Sequence, residues 1–376
     1  MGRVSFCRAL VMLVLLVPVW VSAQNLHQDV QERLAAEVIE IVDEREREIT
    51  GTDAIATVQE VRAVLHSGDR AGEVVRFESE AVSLEKGDDI FLNRVVTING
   101  DEYITFADFE RRPVIYMLAG LFVMLLVGLS GWGGLRALAS LAGSIAAIVF
   151  LLIPALLAGY NPALTSVLIA AVIMVFVLFG THGVNPRTII AFVGTYSAIA
   201  VTGLIAFLSV DMMRLTGFGN DASVYLNFAT NGQLDLSGLL LGSVIIGILG
   251  VLDDVSITQA SVVQELKRAN RNFKFNELYK RAIVVGKDHI GSLVNTLALA
   301  YVGVSLPLIL LYAKTDSSLI TNLNQEVVAA EIVRIIIGSI GLLLAVPATT
   351  AAAAWWFNDR EVDGDVEAGH CHHHHH

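Results

Sequence analysis

Long apolar runs are the feature that most constrains how this chain folds. Several stretches exceed the roughly 18 apolar residues that indicate a transmembrane helix. The chain is 54% hydrophobic and only 16% charged, with a mean hydropathy of +0.63, which is not the composition of a soluble domain. The runs predict a polytopic α-helical membrane bundle of about seven spans, at about 113–130, 133–158, 162–180, 187–209, 236–260, 288–312 and 329–357.

The part of the chain before the first of these runs is predicted to contain two segments. Residues 1–23 carry Arg3 and Arg8, then a short apolar core and small residues, which predicts a signal peptide; an uncleaved first membrane helix is the alternative. Residues 24–112 are polar and acidic, and we expect an amphipathic helix over Val30–Ile49 followed by four or five short strands. This spacing predicts a small extracytoplasmic β-rich domain, an OB-like barrel, that acts as a cap or assembly module or binds a ligand.

The distribution of basic residues predicts the orientation of the bundle. If residues 24–112 lie outside the cell, the inward loops hold most of the lysines and arginines and the outward loops hold mainly acids, which is the positive-inside pattern. The inward basic residues are Arg136, Arg187, Lys267, Arg268, Arg271, Lys274, Lys280, Arg281 and Lys287. The C-terminus is then cytoplasmic. We interpret the basic loop 267–287 as a topology determinant rather than a patch for nucleic acid or anionic lipid, and expect no nucleic-acid partner.

The positions of the two cysteines and the missing motifs argue against several kinds of catalytic and metal site. Residues 358–376 form a tail that ends in an altered purification tag with Cys371, and the other thiol, Cys7, lies in the signal segment. The mature chain is therefore expected to have no disulfide, thiolate metal site or cysteine nucleophile. No zinc or phosphate-loop motif is present. We expect no enzyme activity and no cofactor; an aspartyl protease would need two converging carboxylates, with Asp288 as the second.

Two adjacent carboxylates, Asp253 and Asp254, directly follow the apolar run 236–252. Each ionised carboxylate costs about 2.5 kcal/mol or more within a bilayer, so it should face protein, water or a cation. Successive helical residues point about 100° apart, so at most one of the two faces a given interface. Thr258 and Ser261 share a face with Asp254, and Gln259 adds an amide, which together predict an ion-binding site or a proton path. The alternative is a solvated helix end.

A second polar face is predicted on the helix 288–312. Asp288, Ser292 and Asn295 follow i, i+4, i+7 spacing and are expected to face the acid-containing helix. His289 beside them is either a proton relay or a cap at the membrane interface. His182 is expected to be structural, and Glu331 and Arg334, at i and i+3, are expected to pair with each other. Structural hinges are expected at four positions because glycine permits close approach or unwinding and proline loosens a helix. These are Gly247, Gly250, Pro307 and Pro347.

Three stretches resemble the YibE/F-like family of bacterial integral membrane proteins. They are Gly250–Ser261, Asp288–Leu297 and Glu331–Pro347, within a resemblance that covers most of residues 50–357. The resemblance implies a multi-pass protein of the bacterial inner (plasma) membrane with an N-terminal soluble portion. It implies no substrate, and no ligand residues are carried over from it.

The sequence thus supports two hypotheses about function. The first is a secondary transporter or exporter of an ion or small polar solute, coupled to protons or another cation through Asp253 or Asp254. The second is a non-enzymatic assembly or regulatory protein whose soluble domain recruits a partner. The expected partners are the lipid bilayer, the transported ion or solute and, as a possibility left open, further copies of the chain; the metal content and the direction of transport are left open.

Overall fold

The computed structural model describes residues 30–48, 55–80, 82–97, 101–315 and 318–360. The signal segment at 1–23 and residues 361–376 of the tail lie outside this described part. The chain divides into two compact units, Met1–Leu125 and Leu126–His376.

The first unit contains a five-stranded antiparallel sheet with the order β3-β2-β1-β4-β5. Its core forms because alternate residues of each strand point to one face. Buried side chains on that face include Leu34, Val61, Phe77 and Leu92. The strands are β1 Val30–Glu48, β2 Ile55–Leu65, β3 Val74–Ser79, β4 Asp89–Val96 and β5 Glu102–Phe109. The prediction of a β-rich segment is therefore confirmed.

The amphipathic helix predicted over Val30–Ile49 is wrong, because this segment is the long strand β1. Leu34, Ala36 and Val38 are all buried, which is the two-residue period of a strand. β1 pairs with β2 on one side and with β4 on the other, so its backbone hydrogen bonds come from distant segments. These pairings override the local helical pattern, since strand preference depends on neighbouring strands more than on the segment itself.

Ion pairs join the edges of the sheet in the first unit. Arg70, in the turn before β3, lies 2.6 Å from Glu102 of β5, and Arg94 of β4 contacts both Glu102 and Glu32. The hydrogen bond from Arg70 lowers the pKa of Glu73. These groups are partly solvated, so each pair contributes little to stability and the buried apolar face supplies most of it.

The remainder of the described chain is helical. The helices are α1 Arg112–Ala147, α2 Ile153–Leu157, α3 Pro162–Met174, α4 Pro186–Met212, α5 Asp221–Ala229, α6 Leu236–Ala269, α7 Phe275–Val304, α8 Leu306–Ala313, α9 Leu319–Leu323 and α10 Glu326–Phe357. Short π-helical segments, Ile148–Leu152 and Val175–Gly180, follow α1 and α3. Asn161, Asn185 and Asp235 cap α3, α4 and α6 by accepting hydrogen bonds from backbone N–H groups.

Within the described residues, five helical elements are long and apolar enough to cross a membrane, or six if the bent pair α7 and α8 is one span. About seven spans were predicted from the sequence, because the first of these elements, Arg112–Leu157, was counted there as two. That element does break at Gly131, where φ is 55° and ψ is −131°. α7 and α8 meet at an angle of 64°, with Pro307 in the first turn of α8. The chain is thus a membrane protein by the length and composition of its helices.

α6 is the central helix of the second unit and packs against α3, α4, α7 and α10. In the most apolar 18-residue stretch of α6, 56% of the residues are buried, compared with 17% in the corresponding stretch of Arg112–Leu157. α6 therefore faces protein on most sides. Close approach depends on small residues. A Cβ atom at Gly242 would overlap the Ser166 hydroxyl of α3, and one at Gly338 of α10 would lie 2.9 Å from Ile248 of α6.

The predicted basic loop is held against the end of α10. Lys267 is only 4% exposed, and its ammonium group donates to the carbonyl oxygens of Phe273 and Asn358, both at 2.9 Å. Lys274 pairs with Asp359 at 3.3 Å, and Arg281 lies over the ring of Phe273. Part of the basic charge therefore joins α6, α7 and α10 at one end of the bundle, a structural role that the charge pattern alone did not indicate.

Candidate functional site

The two adjacent carboxylates have different surroundings, as the 100° rotation between successive residues requires. Asp253 is only 6% exposed, whereas Asp254 is exposed. One carboxylate oxygen of Asp253 accepts a hydrogen bond from the backbone N–H of Asp254 at 2.9 Å. Asp253 lies 17 residues after Leu236, about 26 Å along the helix axis at 1.5 Å per residue. It is therefore a buried acid within a candidate span.

Buried hydroxyl groups of α4 and α10 lie in the same helix bundle as Asp253, and one of them contacts α6. Ser256, one turn from Asp253, accepts a hydrogen bond from Thr349 of α10 at 3.2 Å. Thr195 and Thr202 of α4 are also fully buried, and neither hydroxyl oxygen has a hydrogen-bond partner among the described residues. A buried hydroxyl without a partner costs about 1–3 kcal/mol. The core thus contains polar groups that its own packing does not satisfy.

Glycines bring these hydroxyls close to the neighbouring helices. A Cβ atom at Gly194 of α4 would overlap the hydroxyl of Thr349. A Cβ atom at Gly341 of α10 would lie 3.2 Å from the hydroxyl of Thr202. α4 and α10 are antiparallel, because the contact later along α4 is the earlier one along α10. In each of the two contacts, a glycine of one helix faces a threonine of the other.

Sequence reasoning missed Thr195, Thr202 and Thr349, although a signal was present. Thr195 and Thr202 are seven residues apart in an apolar span, so they share a helical face, and Gly194 precedes the first of them. Thr349 follows Pro347 by two residues. Single threonines are common in membrane helices, so only the packing distinguishes these from lipid-facing ones.

The other predicted groups on α6 divide between two faces. Gln259 is buried and donates to the carbonyl oxygen of Ala282 at 2.8 Å, so it fixes α7 against α6. Thr258 is exposed like Asp254, and the Ser261 hydroxyl, partly buried, donates to the carbonyl oxygen of Ile257. Asp254 therefore belongs to an open polar face, and Asp253 to the buried core.

His182 lies outside the spans and near the open face. Partial burial lowers its pKa, and so does the nearby Arg187, while the negative charge of Asp254 acts in the opposite direction. The interaction shows that the His182 turn and Asp254 lie at the same end of the bundle. The His182 side chain retains an exposed surface despite this partial burial.

The polar face of α7 does not point toward α6, contrary to the sequence-based expectation. Asp288, His289, Ser292 and Asn295 are all exposed. α7 packs through the opposite side, where Leu278, Ala282, Gly286 and Leu297 are buried. Packing reverses the expected direction because the apolar residues and Gly286 offer more contact with α6 and α10 than the polar residues do. The structure therefore does not bring these four residues together with Asp253.

Glu331 and Arg334 pair with each other, as the i, i+3 spacing predicted. Arg334 also donates to the hydroxyl of Ser243 at 3.3 Å and lies over the ring of Tyr301 at 5.8 Å. Tyr301 occupies the space beside Gly247, where a Cβ atom would lie 2.6 Å from its hydroxyl oxygen. Gly247 thus permits a close helix contact. Gly250 has open space around it, and α6 continues as a helix past both glycines, without unwinding.

A cavity of about 740 Å³ lies at the end of the second unit opposite to Lys267, where α4 ends and α6 begins. It is lined by apolar residues such as Phe207 and Leu241 and by Asp211, Arg214 and Asp235. Asp235 is engaged as the cap of α6. The volume falls in the range of small-molecule sites.

No three His, Cys, Asp or Glu side chains within the described ranges are grouped so that they could hold a metal ion. A carboxylate can nevertheless bind a proton, and carboxylate and hydroxyl oxygens can both bind hard monovalent or divalent cations. The group formed by Asp253, Ser256, Thr349 and the two α4 threonines, called here the core polar group, can therefore exchange a proton or interact with a small cation.

Apolar helices packed around a helix with a buried carboxylate define a polytopic membrane protein with a polar interior. A family model described as YibE/F-like protein matches residues 118–359. The match covers more than half of the chain, so the chain belongs to the YibE/F-like family. Among curated proteins none matches the chain, and none does among solved structures.

Proposed function

We propose that this protein is a secondary transporter or exporter of an ion or small polar solute, coupled to a proton or another cation at Asp253. The observation that carries the proposal is the burial of Asp253 in α6, one helical turn from Ser256 and its hydrogen bond with Thr349 of α10. Intramembrane carboxylates are costly, and they commonly mark ion and proton pathways. A protein needed only for anchoring gains nothing from this cost.

The hydroxyls without partners support the proposal independently of the carboxylate. Thr195 and Thr202 are fully buried, yet their hydroxyl oxygens make no hydrogen bond within the described structure. A bound cation or water would satisfy such oxygens. The cavity at the start of α6 supports a docking position for the solute, since Asp211 and Arg214 present opposite charges there.

We further propose seven membrane crossings with residues 24–112 outside a bacterial inner membrane and the C-terminus in the cytoplasm. The break at Gly131 divides Arg112–Leu157 into two parts of about 19 and 26 residues, each about 28 Å or longer at 1.5 Å per residue. With α7 and α8 counted as one crossing, the total is odd. The basic loop between α6 and α7 then faces the cytoplasm, as the positive-inside pattern predicts.

Membrane-impermeant maleimide tests this topology in a background in which Cys7 and Cys371 are replaced by serine. We expect Val184→Cys, in the turn before α4, to react only when the cytoplasmic side is accessible. Ser223→Cys, in α5, is the matched control and should react from outside the cell. Both positions are exposed or partly exposed, so reagent access depends on the side of the membrane. The reverse pattern would contradict the proposed topology.

A reconstituted flux assay tests the proposed transport. Purified protein in liposomes should move at least one of protons, monovalent cations, divalent cations or phosphate when a pH or sodium gradient is imposed. We expect the rate to exceed that of protein-free liposomes and to collapse when an ionophore dissipates the gradient. An absence of flux for every solute, with correctly inserted protein, would contradict transport by this chain alone.

A further inference from the structure

The short helix α5 has an apolar exposed face, whereas two of its three partly buried residues are polar. None of its nine residues is buried, and Tyr225 and Phe228, three residues apart on one face, are 74% and 73% exposed. Ser223, Leu226 and Asn227, on the other side of the helix, are partly buried. The exposed face of α5 consists of Asp221, Ala222, Val224, Tyr225, Phe228 and Ala229. A surface helix in water has its polar residues on the exposed side, so contact with water alone does not account for this arrangement.

The level of α5 along the bundle is fixed by the connection that precedes it. The backbone N–H groups of Thr216 and Gly217 donate to the carboxylate of Glu326, the first residue of α10, at 2.8 and 2.7 Å. A Cβ atom at Gly217 would overlap the carbonyl oxygen of Leu236, the first residue of α6. α5 begins four residues after Gly217, which is at most about 14 Å of extended chain. It therefore lies at the end of the bundle where α4 ends and where α6 and α10 begin.

This end of the bundle is also a boundary of the membrane. α4, α6 and α10 are all candidate spans, so the hydrocarbon layer ends close to their termini. Exposed apolar side chains continue from the end of α4 toward α5, since Leu208, Met212 and Phe218 are 48%, 80% and 47% exposed. Asp221 is the only charged residue between positions 215 and 234, and it lies in the first turn of α5, where the helix dipole favours an acid. The segment can therefore contact lipid without burying other charges.

We propose that the exposed face of α5 lies in the lipid–water interface at this end of the bundle, with its two aromatic rings among the headgroups and the first acyl carbons. A tyrosine suits this position because its ring contacts apolar carbon while its hydroxyl group reaches water or a headgroup. α5 has no basic residue, so its binding depends on apolar area and does not require anionic lipid.

The same helix contributes to the cavity at the start of α6. Asn227, on the partly buried side of α5, and Gly232, just after the helix, both line that cavity. Contact with lipid on one side of α5 thus holds a wall of the cavity in place on the other side. The inference depends on insertion of the spans in a membrane and not on transport, since it rests on residues outside the core polar group.

Tryptophan fluorescence in liposomes tests the contact, in a background in which the four native tryptophans are replaced by phenylalanine. They are Trp20, Trp132, Trp355 and Trp356. Tyr225→Trp and Phe228→Trp should each emit at short wavelength in phosphatidylcholine liposomes. Both should be quenched more strongly by phosphatidylcholine brominated close to the headgroup than by lipid brominated near the ends of the acyl chains. Folding is retained because both side chains are exposed.

Two further positions calibrate the depth. Leu204 is 59% exposed and about 12 Å from the end of α4, so Leu204→Trp should show the opposite order of quenching. Arg271 is exposed in the turn after α6, a helix of about 51 Å that is longer than the hydrocarbon layer of about 30 Å, so Arg271→Trp should not be quenched. Long-wavelength emission from the two α5 variants would show that water covers the face. Short-wavelength emission without quenching by either lipid would show that protein covers it, and either result would overturn the proposal.

Hydrogen–deuterium exchange in phosphatidylcholine nanodiscs measures what the two aromatic rings contribute. A helix of this length is marginal in water, so α5 needs the contact with lipid to remain folded. Replacing both Tyr225 and Phe228 by serine should increase the exchange rate of the amides of residues 221–229 about tenfold, because serine has a similar helix propensity but little apolar area. The matched control replaces Ala222 and Ala229 of the same face by serine and should change the rate much less. Equal exchange rates in the two double variants would contradict anchoring by the aromatic rings.

Discussion

Asp253→Asn is expected to reduce gradient-driven flux to the rate of protein-free liposomes. The amide has almost the same shape as the carboxylate, but it cannot bind and release a proton or supply a negative charge to a cation. The described structure offers no other carboxylate at this buried level of α6, because Asp254 is exposed. Flux is measured in the reconstituted system with the gradient that drives the wild-type protein.

Asp254→Asn is the matched control for this substitution, since it changes the same side chain one residue further along the same helix. We expect it to retain most of the flux because its side chain is on the open face. Asp253→Asn should also be at least as stable as the wild type, since it removes a charge from a buried position. Gradient-driven flux that survives in Asp253→Asn, with loss in Asp254→Asn, would place the coupling site on the open face instead.

Gly194→Val is expected to destabilise the bundle by about 2–3 kcal/mol, in the range measured for overpacked cores. A Cβ atom at this position would overlap the Thr349 hydroxyl and lie 3.0 Å from the Thr349 Cα atom, which is backbone and cannot rotate away. α4 and α10 must therefore separate. Reversible unfolding of the purified protein in detergent measures the change in free energy.

Gly250→Val provides the comparison for Gly194→Val. Gly250 is exposed, and no atom lies within 4 Å of a Cβ atom placed there. Glycine is a weaker helix former than valine, so this variant should be neutral or slightly stabilising. The separation of α4 from α10 also moves Thr349 away from Ser256, so flux should fall in Gly194→Val alone. Equal unfolding free energies in the two variants would mean that the tight contact at Gly194 contributes nothing to stability.

The elements that sequence predicted well are those whose signal is local. Apolar runs at 162–180, 187–209 and 329–357 correspond to α3 with its π-helical extension, α4 and α10. Their ends follow from Asn161 and Asn185 as caps with proline immediately after them. The pairing of Glu331 with Arg334 was predictable for the same reason, because it depends only on the spacing within one helix.

The errors occur where distant contacts decide the structure. β1 has apolar residues at helical spacing, but β2 and β4 supply its hydrogen bonds and make it a strand. The polar face of α7 was expected to turn inward. Gly286 and Leu297 instead determine the orientation, since close packing on Gln259 and Gly338 requires that side of the helix.

By itself the sequence determined that the chain enters a membrane, that a β-rich segment precedes the helices, and that an acid pair interrupts the apolar run that becomes α6. Hydrophobic length, turn residues and charge act within one segment, so they can be read along the chain. Only the tertiary structure decided that Asp253 and not Asp254 is buried, that Thr349 of α10 bonds Ser256 one turn from it, and that Asn295 faces outward. Those outcomes depend on which faces of separate helices pack together, and helix rotation is set by contacts between side chains far apart in sequence.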